Sequence, residues 1–267
     1  MYYDLEGAKE QVRLHKYNGA SESAEYREDV ARLEQGEPLA YVLGVVDFLG
    51  AKVDLSYRPM IPREETAFWV ERAISELREV EKKEGRPLRL ADTFSGSGCI
   101  GLALLVNLST AQVDISELQE NLKAQIEKSV TLNNIEKERV RVFTADGFEG
   151  LKAPYDAIIA NPPYIPPEAL KDLDPEQRDF EPHLAFFAED GGAYFHNYII
   201  TKGWDLLTPT GTLYMEADFY QHDRILSMVK ESGYPWKVEF WKDPYGQEPF
   251  VVLRKKSKKK KNEVKKA

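Results

Sequence analysis

Apolar segments of strand length alternate with longer segments of helical periodicity between residues 88 and 232. Two further strand-like segments follow at residues 236–242 and 248–254. Alternation of this kind predicts parallel strands joined by helices, because parallel neighbours need a long crossover connection. The final pair has a short connection and predicts an antiparallel hairpin. We therefore expect an α/β fold with a doubly wound sheet that ends in a C-terminal antiparallel hairpin.

Upstream of residue 88 the pattern is different. Residues 4–18 and 22–35 are highly charged and predict two short helices, whereas residues 39–57 alternate around Leu49-Gly50-Ala51 and predict a β-hairpin. Residues 64–82 predict a buried helix. The sequence thus divides into a short helical N-terminal region (1–37), a β-hairpin linker (38–62), an α/β domain (63–254) and a lysine-rich tail (255–267) that we expect to be disordered.

The tetrapeptide Asn161-Pro162-Pro163-Tyr164 directly follows the apolar segment 155–160, so it lies at the carboxyl end of a predicted strand. Ligands of open α/β sheets bind at that edge. The prolines lack backbone N–H groups, so carbonyl oxygens and the Asn161 side-chain oxygen can accept hydrogen bonds, and Tyr164 offers an aromatic face. This combination suits a planar –NH2 group. The alternative is a proline-stiffened loop that only closes the strand.

A second motif follows the predicted strand 88–92. Asp92 precedes Thr93-Phe94-Ser95-Gly96-Ser97-Gly98, and an apolar helix begins at Cys99. A strand, a glycine-containing turn and a helix start let the backbone approach a nucleotide-like ligand. We therefore expect a cofactor to bind at Asp92, Phe94, Gly96 and Gly98.

Two further acidic residues close the next predicted strands. Asp114 ends the run 111–114 and is placed to accept both hydroxyls of a ribose. Asp146, within Asp146-Gly147-Phe148, is placed to accept from an adenine amino group. A dinucleotide is the competing ligand, but Phe94 stands where the phosphate-binding fingerprint has its first glycine. Without a pyrophosphate to hold, the pattern favours S-adenosyl-L-methionine (AdoMet) over NAD.

The charge is unevenly distributed along the chain. The last fourteen residues hold nine Lys or Arg and one Glu, which leaves 27 basic and 44 acidic side chains in the first 253 residues. The acidic body, with a net charge near −17, would repel duplex DNA. The tail, near +8, is either a solvated solubility tail or an electrostatic tether to RNA such as that of the ribosome.

Other features exclude several classes of protein. The chain has no apolar segment long enough for a membrane span and no signal-peptide core, so we expect a cytoplasmic protein with no membrane partner. Cys99 is the only cysteine, and its place in an apolar helix predicts a buried side chain and no disulfide. The four histidines lack ligand spacing, so we predict no metal site.

The order of these motifs resembles that of class I AdoMet-dependent methyltransferases that methylate amino groups. Further segments resemble the HemK-type peptide chain release factor glutamine methyltransferases, and they are residues 36–44, Phe48, Gly50, Ile61-Pro62-Arg63-Glu64-Glu65-Thr66, Phe180-Glu181-Pro182 and Asp190-Gly191-Gly192. The likeness spans roughly residues 36–254. It implies a Rossmann-like methyltransferase sheet, AdoMet as the cofactor and a release factor as the protein substrate.

The resemblance also implies roles for individual residues. The reaction would transfer a methyl group to the side-chain nitrogen of the glutamine in a Gly-Gly-Gln loop. Asn161, Pro162 and Tyr164 would be catalytic, and Asn161 would border the cofactor as well. The substrate pocket would comprise residues 161–164, Arg63, Thr66, Glu181 and Pro182. Glu181 and Pro182 either shape the pocket wall or anchor a loop. We expect a monomer.

Two other functions stay open. The turn Asp-x-Phe-x-Gly-x-Gly at residues 92–98 is more familiar from DNA adenine methyltransferases, so the exocyclic amine of a DNA or RNA base is an alternative substrate. The acidic body and the lack of a separate target-recognition domain argue against it, because base flipping needs a cationic groove. The other alternative is a non-catalytic AdoMet-binding protein associated with the ribosome, against which the intact segment 161–164 argues.

Overall fold

The computed structural model describes residues 4–243, 246 and 249–255. The helices are α1 (Leu5–Tyr17), α2 (Ala24–Glu34), α3 (Leu39–Leu43), α4 (Glu64–Glu84), α5 (Cys99–Asn107), α6 (Glu120–Leu132), α7 (Pro175–Phe180), α8 (Tyr194–Leu206) and α9 (His222–Glu231). The strands are β1 (Val45–Phe48), β2 (Ala51–Asp54), β3 (Arg89–Thr93), β4 (Gln112–Glu117), β5 (Val140–Thr144), β6 (Tyr155–Ala160), β7 (Leu207–Glu216), β8 (Trp236–Trp241) and β9 (Phe250–Lys255).

The main sheet has the strand order β5-β4-β3-β6-β7-β9-β8 in the described part of the chain. Strands β3 to β7 pair in parallel, whereas β9 is antiparallel to both β7 and β8. The order reverses between β3 and β6, which places a switch point at the carboxyl ends of these two strands. The predicted doubly wound sheet with a C-terminal hairpin is confirmed.

Both faces of the sheet are buried. Ile159 of β6 belongs to the core formed with α4, α5, α6 and the β1–β2 hairpin, and Ile158 belongs to the core formed with α8 and α9. Successive side chains of a strand point to opposite faces. This explains why the strand reads as a continuous apolar segment rather than an alternating one.

The N-terminal helices form where they are predicted, but the hairpin is shorter. Residues 39–43 form α3, which follows Pro38 and ends at Gly44 in a left-handed conformation. The hairpin itself covers only Val45 to Asp54. The expectation of a hairpin from residue 39 is wrong. Tyr41 and Val42 are consecutive buried residues that belong to two different hydrophobic cores, and a helical turn directs one side chain to each.

The C-terminal strand extends further than predicted. Lys255 is the last residue of β9, where it pairs with Trp236, and its amine donates to the Leu207 carbonyl at 2.7 Å. Arg254 bonds to Glu76 of α4 at 2.7 Å. The lysine-rich tail therefore begins after Lys255, and its residues 256–267 lie outside the described part of the chain. In that part, no helix combines the length and apolarity needed to cross a bilayer.

Candidate active site

A large cleft opens at the carboxyl edge of the sheet. Its walls come from segments that follow four neighbouring strands: residues 94–97 after β3, 117–119 at the end of β4, 145–147 after β5, and Asn161 and Pro163 after β6. It encloses about 940 Å³ of space when open solvent is included. The cleft is where the strand order predicts a ligand.

The glycine turn forms one wall of this large cleft. Phe94, Gly96 and Gly98 all have left-handed backbone conformations, with φ of 58°, 54° and 78°. Glycine adopts these angles without strain, and a Cβ at Gly98 would lie 2.8 Å from Ile126. The turn therefore needs glycine for close contact with α6. Phe94 adopts this backbone conformation without being glycine, and its edge-to-face contact with Phe195 helps to offset the strain. The two ring centroids lie 5.1 Å apart in the same cleft.

Glu117, at the end of β4, is the carboxylate that faces the large cleft. Its side chain is buried and accepts hydrogen bonds from the backbone N–H of Gly96 at 2.7 Å and of Gln119 at 3.0 Å. Burial raises the pKa of Glu117, although the backbone donors oppose that rise. A carboxylate can accept more hydrogen bonds than these backbone donors supply, so Glu117 can also accept ligand hydroxyls.

Asp114 does not occupy that position, and the prediction that β4 ends there is wrong. The strand continues for three more residues, because Asp114 is neutralised within the sheet. Arg141, its partner on β5, donates to it at 3.0 and 2.8 Å, and the Tyr155 hydroxyl donates as well. Burial opposes ionisation of Asp114, but the bonds from Arg141 and Tyr155 outweigh it and lower the pKa. Asp114 is therefore a structural ion-pair residue.

Two other predicted cofactor residues stand behind the cleft wall. The fully buried Asp92 accepts from the Gly101 N–H at 2.8 Å, and its other oxygen has no hydrogen-bond partner among the described residues. Burial raises the pKa of Asp92 to about 7. Phe148 is buried against Tyr198, whose hydroxyl accepts from the Phe148 N–H at 3.0 Å. Both residues support the loops. Asp146 and Gly147 lie in the cleft wall itself.

A small cleft adjoins the large one, and Asn161 borders both. The small cleft is lined by Pro162, Tyr164, Ile165 and Phe186 among others, and Met60, Arg63 and Ala185 also border both clefts. Asn161 is half-buried, and its side-chain amide donates to the Thr66 hydroxyl at 3.3 Å. A nitrogen bonded to Thr66 leaves the side-chain oxygen of Asn161 free to accept from a ligand.

A buried carboxylate lies beneath this junction. Glu216, the last residue of β7, accepts from the Thr66 hydroxyl at 2.8 Å, the Trp69 indole N–H at 2.8 Å and the Tyr164 hydroxyl at 3.0 Å. Burial raises the pKa of Glu216, and the three donors offset only part of that rise. Burial, together with the contact to Glu216, raises the pKa of Tyr164 well above its usual range. Glu216 thus holds Thr66 and Tyr164 directly, and it holds Asn161 through Thr66.

Tyr164 is also fixed through its backbone. Its carbonyl accepts from the Gln221 side-chain amide at 3.1 Å, and a Cβ at Gly192 would lie only 2.1 Å from that carbonyl oxygen. Gly192 has a φ of 82°, which suits glycine. The Asp190-Gly191-Gly192 segment therefore supports the loop after β6.

The segment before α4 also contributes to the cleft walls. Arg63 forms an ion pair with the buried Glu181 at 2.6 Å, and the Ile61 N–H donates to the same carboxylate at 3.0 Å. Pro182 lines the large cleft. Of the two roles left open for these neighbours, Glu181 has the contacts of a loop anchor and Pro182 those of a wall residue.

The sequence interpretation overlooked Glu117, Glu216 and Phe195. The two glutamates carry the signal that was applied elsewhere, namely an acidic residue at the carboxyl end of an apolar strand. Glu117 ends β4 three residues beyond the predicted strand end, and Glu216 ends β7, a strand for which no site residue was predicted. Phe195 gave no signal of its own, because its contact with Phe94 depends on how α8 is placed against the sheet.

Known proteins resemble this chain in sequence and in fold. The methyltransferase small domain family matches residues 76–173. The catalytic domain of hMettl16, solved in complex with MAT2A 3'UTR hairpin 6, is 16% identical and has a TM-score of 0.61, with 97% of this chain and 94% of that chain covered. This likeness concerns the fold alone, and it agrees with the class I methyltransferase architecture.

Two relatives with higher sequence identity are release factor glutamine methyltransferases. The release factor glutamine methyltransferase of Bacteroides thetaiotaomicron is 32% identical over 243 residues, which cover 88% of this chain and 82% of the relative. That of Geobacter sulfurreducens is 32% identical over 224 residues, which cover 84% and 75%. The family predicted from the motifs is confirmed, and the chain belongs to the release factor glutamine methyltransferases.

Proposed function

We propose that this protein transfers a methyl group from AdoMet to the side-chain amide nitrogen of the glutamine in the Gly-Gly-Gln loop of a peptide chain release factor. The observation that carries the proposal is the place of Asn161 between the two clefts, with its amide nitrogen bonded to Thr66. Family membership supplies the substrate, and the site supplies an acceptor for its amide.

The large cleft fits AdoMet. Glu117 offers carboxylate oxygens to ribose hydroxyls, Asp146 is available to an adenine amino group, and Ile100, Leu122 and Phe195 provide apolar walls. Phe94 and Gly96 border the same cleft. AdoMet supplies an electrophilic methyl group when it is bound. The small cleft is left for the glutamine side chain, with Asn161 at the boundary.

The residues around Asn161 orient the amide nitrogen of the substrate glutamine, which is a poor nucleophile. The lone pair of an amide nitrogen is delocalised into its carbonyl group, so the nitrogen attacks only when it is correctly oriented. The side-chain oxygen of Asn161 and the carbonyl of Pro162 accept its two N–H groups, direct the nitrogen toward the methyl group and favour the positive charge that develops there. Tyr164 covers the amide plane and excludes water.

Transfer of radiolabelled methyl groups tests the proposal. Isolated release factor, the same factor with the Gly-Gly-Gln glutamine replaced by alanine, duplex DNA and structured RNA are each incubated with the protein and labelled AdoMet. We expect label only in the unaltered release factor. Label in DNA or RNA, with none in release factor, would establish base methylation instead, and AdoMet binding without any transfer would establish the non-catalytic alternative.

Three further properties belong to the proposal. The lysine-rich tail is a tether to RNA or to the ribosome, because seven of the twelve residues 256–267 are lysines. The protein acts in the cytoplasm, where its release factor substrate is made. It is a monomer, which sedimentation of the isolated protein tests directly.

A further inference from the structure

The hydrogen bonds of Glu216 have a fixed direction. The indole N–H of Trp69 can only donate, and it points at the same carboxylate oxygen as the Thr66 hydroxyl, both at 2.8 Å. A proton that burial keeps on Glu216 would lie on its other oxygen, toward Tyr164, because the oxygen shared by Trp69 and Thr66 accepts the indole N–H. Thr66 must therefore give its single hydroxyl proton to Glu216.

The direction of the Thr66–Glu216 hydrogen bond determines how Asn161 can bond to Thr66. Because the Thr66 proton is committed to Glu216, only lone pairs of the Thr66 oxygen face Asn161, at 3.3 Å. An amide –NH2 group complements lone pairs, whereas an amide oxygen would be repelled by them. The nitrogen of Asn161 therefore turns toward Thr66 and its oxygen toward the clefts.

We infer that Glu216 and Thr66 are positioning residues that hold the Asn161 side chain in the one amide orientation able to accept from a substrate –NH2 group. The inference rests on the proposed function and deepens it, since it names what sets the acceptor. Thr66 lines the large cleft and Glu216 lines the small one, but in this role both act through Asn161. Trp69 takes part by fixing which oxygen of residue 216 faces Thr66.

The chain of hydrogen bonds from Asn161 through Thr66 to Glu216, here called the relay, is tested by the kinetics of four variants. Thr66→Val keeps the shape but removes the hydroxyl, so kcat should fall about tenfold or more, while KM for release factor and Kd for AdoMet change less than about threefold. Thr66→Ser should restore most of the rate. Glu216→Met removes the acceptor and should lower kcat similarly, and combining it with Thr66→Val should add little, since both break one chain.

Glu216→Gln separates the relay from a simple need for charge. The indole N–H of Trp69 requires an oxygen opposite it, so the new amide oxygen stays toward Trp69 and Thr66, and its –NH2 group faces Tyr164. The direction at Thr66 is kept, and kcat should stay within about fivefold of wild type. Thr212→Val is the matched control, because Thr212 is a buried residue of β7 whose hydroxyl bonds to Arg254 at 3.2 Å.

A readout without substrate keeps the inference independent of the proposed function. The side-chain amide protons of Asn161, identified by their loss in Asn161→Asp, are followed by NMR in the free protein. Their exchange with water should be protected in wild type, Thr66→Ser and Thr212→Val, and accelerated in Thr66→Val. Unchanged protection or unchanged kcat in Thr66→Val overturns the inference. An absence of methyl transfer by the wild type overturns only the proposed function.

Discussion

The backbone N–H of Gly96 donates to the carboxylate of Glu117 across 2.7 Å, which joins the turn after β3 to the end of β4. One side chain thus shapes the glycine turn and faces the large cleft. The two tasks are compatible because each carboxylate oxygen can accept more than one hydrogen bond.

Replacement of Glu117 should therefore weaken cofactor binding. We expect Glu117→Ala to raise Kd for AdoMet by about 30-fold or more, since loss of a charged acceptor that pairs with buried donors costs roughly 2–3 kcal/mol. Calorimetric titration measures the change. Asp114→Asn is the control, and it should lower the free energy of unfolding while leaving Kd within about threefold, because Asp114 pairs with Arg141. A larger loss of affinity in Asp114→Asn would restore the first assignment.

The contrast between Asp114 and Glu117 shows what could be predicted from the sequence. Strand segments and their order follow from apolar periodicity, and the motifs at residues 94–98, 146–147 and 161–164 were found because each follows a strand. The end of β4 could not be read in this way. Asp114 lies inside β4 because Arg141 on the neighbouring strand neutralises it, and the linear sequence does not reveal this ion pair.

Asn161→Ala should abolish turnover while AdoMet still binds. The loss of one oriented acceptor should lower kcat on the order of a hundredfold or more, because the acceptor acts on charge that develops in the transition state. Single-turnover methylation of release factor measures the rate, and calorimetry measures AdoMet affinity. A loss of affinity as large as that of Glu117→Ala would show that Asn161 chiefly serves the cofactor.

Gly192→Ala should damage the loop after β6. A Cβ there would lie 2.1 Å from the backbone oxygen of Tyr164, in addition to the strain of a φ of 82°. We expect the free energy of unfolding to fall by more than about 1 kcal/mol and kcat to fall with it. Gly233→Ala is the control, with a φ of 72° and open space around its Cβ. Equal destabilisation in the two variants in urea would mean that the contact with Tyr164 is unimportant.

Asp92 should make stability fall as the pH rises. Its pKa is raised by burial from 3.8 to about 7, so the folded protein keeps a proton that the unfolded chain releases. The stabilising contribution is complete below pH 3.8 and is lost as the pH rises through 7. Asp92→Asn removes this titration, so unfolding in urea between pH 5 and 8 should show a smaller decline than in wild type. A parallel decline in both proteins would contradict the assigned pKa.

Truncation after Lys255 should separate catalysis from RNA contact. The truncated protein keeps β9 and loses seven lysines and one glutamate. It should methylate isolated release factor at nearly the full rate, while its binding to ribosomes weakens and loses salt dependence. Truncation after Leu253 is a different experiment, because it also removes Arg254 and its bond to Glu76. If the protein truncated after Lys255 no longer methylates release factor at low salt, the tail belongs to the substrate interface.

The buried network below Asn161 marks where prediction from sequence stops. Thr66 and Glu216 lie 150 residues apart along the chain and meet only because α4 packs beside the end of β7. Asn161 was found from its motif, but the orientation of its side-chain amide depends on these distant groups. Likewise, α3 forms at residues 39–43 because its buried neighbours are set by α1 and α2.

The direction of the hydrogen bonds at Asn161 has a consequence for chemical selectivity. The side-chain oxygen of Asn161 can only accept, so it will attract the –NH2 end of glutamine and repel the carboxylate of glutamate, although the two have nearly the same shape. A release factor that has lost its amide by deamidation would meet oxygen against oxygen at this position. The enzyme would thus refuse a damaged substrate without any pocket devoted to inspecting it.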